Sequence, residues 1–84
     1  MSGRWNWRVY NTDGKETLKK SRFKFARSAM EESMLYALKR KNIIRVDITQ
    51  EDRYENIIRY TRTRNPESLQ WRRWRKVNET ECLK

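Results

Sequence analysis

Histidine is absent from this 84-residue chain, cysteine and proline occur once each, and glycine occurs twice. The first absence removes the commonest general base and the commonest metal ligand. With Cys82 alone there is no intrachain disulfide and no thiolate cluster for zinc, and a single free thiol fits a reducing cytoplasm. Gly3 and Gly14 are too few for a glycine-rich phosphate loop. No stretch reaches the roughly 20 apolar residues of a membrane helix. The opening "MSGRWNWRVY" has no apolar run followed by a small-residue cleavage site, so no signal peptide is expected.

Positive charge is abundant. Lys and Arg number 21 against 11 acidic residues, a net charge of +10. Charge of that size opposes compaction and attracts polyanions through steering and counterion release. The length suits one small domain whose core depends on its few large rings. The expected span is residues 1–77, with 78–84 a frayed tail.

Alternation in "WNWRVYN" (5–11) places Trp5, Trp7 and Val9 on one side and Asn6, Arg8 and Tyr10 on the other, as in a half-buried strand. Asp13-Gly14 marks a hairpin. The returning arm, 15–25, sets Lys20, Arg22 and Lys24 opposite Phe23 and Phe25, which are read as core. "SAMEESMLYALKRK" (28–41) predicts a helix with a capping box from Ser28 to Glu31. Its expected apolar stripe is Met30, Met34, Ala37 and Leu38. "NIIRVDIT" (42–49) predicts a strand with Ile44, Val46 and Ile48 facing one way.

Residues 54–64 admit either helix or strand, and the Thr and Tyr content favours strand. One side would carry Ile57, Arg59, Thr61 and Thr63; the other Tyr54, Ile58, Tyr60, Arg62 and Arg64. Asn65 before Pro66 resembles a helix start, so 67–77 is expected to form a short terminal helix. The fold class is therefore α+β: an antiparallel sheet of about four strands on one capped helix, plus that short helix.

Catalysis is not expected, and neither is a cofactor or metal. Asp47, Glu51, Asp52 and Glu55 cluster in sequence and could in principle hold Mg²⁺ for phosphodiester cleavage, but a solvated loop that partly offsets nearby arginines is the preferred account of them. Binding remains. Between Arg53 and Lys76 there are eight basic residues and two acids, interleaved with Tyr54, Tyr60, Trp71 and Trp74. Arginine forks hold phosphate, and flat rings stack unpaired bases. The candidate nucleic-acid contacts are Lys20, Arg22, Lys24, Arg62, Arg64, Trp71, Arg72, Arg73, Trp74, Arg75 and Lys76. Of the two indoles, one is expected at the core edge and the other on the contact surface.

No helix-turn-helix, zinc finger, basic zipper or RNA-recognition-motif signature is visible, which favours sequence-tolerant binding of RNA, single-stranded or structured. Because Trp, Tyr and Arg are also interface hot spots, direct docking on a host protein is the alternative. A small core with surplus aromatics is also compatible with a homodimer.

In length, in its charge of +10, and in the stretches "YTRTRN" and "QWRRWRKV", the chain resembles small accessory proteins of T4-like tailed phages. It is most similar to the RNA-binding, ToxN-inhibitory kind that counteracts a host endoribonuclease toxin. The resemblance implies binding of RNA together with the toxin, without new catalysis, in the host cytoplasm. It assigns no individual residue.

Overall fold

A computed structural model describes residues 4–51 and 57–78. The elements are β1 (Trp5–Asn11), β2 (Glu16–Phe23), α1 (Ala26–Leu38), β3 (Ile43–Glu51), β4 (Ile57–Thr63) and β5 (Arg75–Asn78). The strands form one antiparallel sheet in the order β2-β1-β3-β4-β5. The helix lies across β1, β3 and β2, while β4 and β5 extend beyond it. The α+β expectation stands, with five strands in place of about four and one helix in place of two.

Strand alternation builds the core. Trp7 and Val9 pair with Ile48 and Val46, so all four point to the helix side, and all are shut off from solvent together with Ile43, Ala29 and Ala37. The Trp7 indole stacks at 5.6 Å on Tyr36 and donates its N–H to Glu32 at 3.0 Å. A buried indole therefore keeps its polar atom satisfied. The Asp13-Gly14 hairpin forms as expected: Gly14 has φ +78°, and the Asn11 side chain accepts from the backbone N–H of Asp13 and Lys15.

The helix departs from its expected form. It begins at Ala26, with Phe25 in the extended capping position and no side-chain cap. Ser28 thus lies inside the first turn, and Glu31 pairs with Arg27 at 3.2 Å rather than closing a capping box. The buried stripe is Ala29, Ser33 and Ala37, small residues that let the helix sit close over Trp7 and Val9. The Ser33 hydroxyl is satisfied by the Met30 carbonyl at 2.9 Å. Met30 and Met34 flank this stripe half-buried, and Leu38 is exposed.

Two irregularities reset the alternation read from the sequence. In β2, Trp5 faces Phe23 but Trp7 faces Lys20, so one extra residue is accommodated near Arg22, whose φ is +76°. A bulge of this kind sends Phe23 back to the helix side, the side that Lys20 also occupies. Lys20, Arg22 and Lys24 consequently do not share one face. Phe25, expected in the core, is 61% exposed because the strand ends at Phe23. In β3 the register shifts between Tyr10 and Asn11, which makes Ile43 the buried residue and leaves Ile44 half-buried.

The expected helix at 67–77 is a turn followed by an extended strand. Asn65 does cap, accepting from the N–H groups of Glu67 and Ser68 at 2.8 and 3.3 Å. The helix does not propagate. Leu69 turns left-handed at φ +63°, and its N–H bonds the Asn65 carbonyl at 2.8 Å. The chain then returns along β4, bridging Arg64 to Trp71 and pairing Thr61 with Arg75. The exposed ladder of β4 overrides local helix signals here, as tertiary context commonly does. Residues 57–63 are strand, as favoured, while Tyr54 and residues 79–84 of the expected tail lie outside the described residues. Among the described residues no helix is long and apolar enough to cross a membrane.

Candidate nucleic-acid interface

The sheet has a second side, away from the helix. Register places a row across all five strands there: Lys19, Arg8, Asp47, Thr61 and Arg75. One neighbouring row holds Tyr10, Arg45 and Thr63, and the other holds Asn6, Thr49, Arg59 and Val77. Arg72 joins this side by donating from Nη1 to the Thr63 hydroxyl at 3.1 Å. Six cations and two carboxylates, Asp47 and Glu16, thus stand on or beside one flat surface.

Asp47 organises the centre. It is almost fully buried although no helix covers it, because Arg45 lies over it. Arg45 donates from Nε and Nη2 to the two carboxylate oxygens at 3.1 and 2.8 Å, and the Thr61 hydroxyl donates at 2.7 Å. A forked pair of this kind fixes direction as well as charge. The bond to Asp47 raises the Arg45 guanidinium pKa above its ordinary value, against the opposing effect of burial. The same guanidinium covers the Tyr10 ring at 4.2 Å. Arg8 is drawn toward Glu16 at 3.4 Å on the half-exposed surface. Arg45, Arg59 and Arg75, with Thr61, Thr63 and Val77, surround a shallow hollow of about 300 Å³ floored by Asp47. Three guanidiniums around one depression give it positive charge, although the Arg45 fork and the Thr61 hydroxyl are already bonded to Asp47.

The candidate contacts named from the sequence divide among several places. Arg75 and Arg72 belong to this face. Arg73 is exposed beside it, bordering a second cleft that Trp74 also lines. Lys76, opposite Tyr60, is on the helix side and exposed. Lys20 lines the groove between β2 and α1, with Trp7, Leu35 and Tyr36. Arg22 sits at the bulge, and the Lys24 ammonium lies 5.8 Å from the Phe25 ring.

Arg62, Arg64, Trp71 and Trp74 cover the part of β4 that the helix leaves bare. The Arg62 guanidinium lies 6.0 Å from each indole, and its Nε donates to the Arg72 carbonyl. Arg64 is buried beneath Trp71 at 4.5 Å, and its fork donates to the Arg40 and Ala37 carbonyls at 3.0 and 3.3 Å. It therefore caps the helix C-terminus, where a cation also meets the negative end of the dipole. Desolvation lowers its pKa, yet an arginine stays charged. Arg64 is thus withdrawn from any ligand. Trp71 and Trp74 are both half-buried against the core, so neither indole is simply a contact surface.

Arg8, Lys19, Arg45 and Arg59, which the sequence pattern does not single out as contacts, also stand on this face. Their signal was the outward half of each alternation, read across strands. For the acidic cluster, Asp47 is bound by Arg45 and Thr61, while Asp52, Glu55 and the side chain of Glu51 lie outside the described residues. Among the described residues no group of three or more potential metal ligands comes together. No protein-family model, curated protein or solved structure matches this chain.

Proposed function

We propose that this protein binds RNA without cleaving it, through the face of its sheet opposite the helix. The observation that carries this reading is the row Lys19–Arg8–Asp47–Thr61–Arg75 flanked by Arg45 and Arg59. Cations from all five strands stand together there, the electrostatic footprint that a phosphate backbone requires. With the resemblance drawn from the sequence, the reading extends to a phage-type inhibitor acting on a host endoribonuclease toxin with RNA bound, in the cytoplasm.

A second reading is direct docking on a host protein. It is favoured by the groove beside α1, where Leu35 remains 63% exposed next to Lys20, Lys39 and Arg40. A pull-down from nuclease-treated lysate separates the two, because a partner retained without RNA supports direct recognition.

The RNA reading is tested by titrating labelled RNA at several salt concentrations. About four phosphate contacts give a slope of log K on log salt near −3 to −4. Affinity unchanged between about 50 and 500 mM salt would overturn the electrostatic basis.

A further inference from the structure

We infer that the RNA this face recognises is double-helical, held by its backbone and groove shape rather than by stacked bases. The inference rests on the RNA-binding reading and specifies its ligand. Single strands are bound by cations together with rings on which unpaired bases stack, each worth roughly 1–3 kcal/mol. The fold separates those two ingredients. Strand alternation sends Trp5, Trp7, Tyr60 and Trp71 to the helix side, where all pack in or against the core. Tyr10 is the one ring among the cationic rows, and the Arg45 guanidinium already occupies its face. Trp74 borders the surface but is half-buried against the core. Among the described residues, bases would find no open platform beside the arginines.

What the surface offers is breadth. Five strands at about 4.8 Å spacing span roughly 19 Å. A five-stranded sheet does not enter the major groove of B-form DNA, which admits a helix or a two-stranded ribbon. The minor groove of A-form RNA is wide and shallow, and displays 2′-hydroxyls between its phosphate rails. Lys19 and Arg8 at one side of the sheet and Arg75 and Arg72 at the other are placed to meet two such rails. Asn6, Thr61 and Thr63 stand on the same side of the sheet.

The test compares three labelled probes: an RNA duplex, an oligouridine of the same total nucleotide number, and a DNA duplex of the same length. With four to five contacts, the steeper counterion release from a duplex predicts about tenfold tighter binding of duplex RNA than oligouridine near 0.1 M salt. The double variant Arg8→Gln/Arg75→Gln, with unchanged circular dichroism, is expected to lose about tenfold or more on duplex RNA. Trp74→Phe should stay within about twofold. Oligouridine bound as tightly as the duplex overturns the inference and leaves RNA binding standing. Equal affinity for the DNA duplex likewise overturns it, by removing A-form shape from recognition. Failure to bind any of the probes overturns the proposed function and the inference together.

Discussion

The two sides of this sheet are built from the same strands, and each buries one ionised side chain by different means. On the helix side Arg64 lies under Trp71, its charge answered by two backbone carbonyls at the end of α1. On the open side Asp47 lies under Arg45, its charge answered by a guanidinium and a hydroxyl. Burial on the first side comes from rings and aliphatic groups that exclude water. Burial on the second comes from a neighbouring charged group that still touches water, since the Arg45 side chain is 45% exposed. Position in the pleat, and not residue type, decides whether an arginine here supports the fold or faces outward.

The comparison can be broken at three points, from the strongest expected effect to the weakest. Trp7→Ala removes the largest fully buried side chain and leaves Glu32 without its indole donor. About 3–5 kcal/mol of unfolding free energy should be lost, measured by urea denaturation. A cost below about 1 kcal/mol would mean that the helix side is not the principal core. Arg64→Met keeps an unbranched chain beneath Trp71 but strips two charge-assisted bonds from the helix end. A loss of about 2–3 kcal/mol is expected, with faster amide exchange in the last turn of α1. A neutral result would return Arg64 to the list of candidate ligand contacts.

Asp47→Asn tests the open side. Stability should fall by about 1–2 kcal/mol, since Arg45 loses its anionic partner while remaining partly hydrated. RNA affinity should hold or rise, because a negative charge leaves the centre of the cationic face. Reduced RNA affinity in a variant that stays folded would instead make Asp47 part of the recognition machinery.

Alternation made most of this fold legible in the sequence. Trp7 and Val9 share a side of β1, Val46 and Ile48 a side of β3, and Arg59, Thr61 and Thr63 a side of β4, each as its own alternation predicts; how these sides combine is given by the strand pairing. The errors fall where one residue displaces the period, at Arg22 and Ile44, and where a neighbouring strand competes with a local signal, at 67–77. Asn65 capped its turn as its sequence context indicates, but a cap governs only a few residues. Which strand lies beside which is a long-range fact. Arg8, Lys19, Arg45 and Arg75 come from four strands and form one surface only once that order is known.

The placement of β1 between β2 and β3 also has a kinetic consequence. The β1–β2, β3–β4 and β4–β5 pairings join strands adjacent in the chain, whereas β1–β3 must close a loop that contains β2 and α1. That closure carries the largest entropy penalty in the molecule, so it is expected to form the folding transition state. We predict that Val46→Ala, within this pairing, chiefly slows refolding, while Val77→Ala on β5 chiefly accelerates unfolding. Stopped-flow chevrons distinguish the two, and identical partition of both variants between the arms would show that the edge strand docks before the barrier. On this ordering the helix side consolidates first, and the opposite face is completed last, when Arg75 arrives beside Thr61.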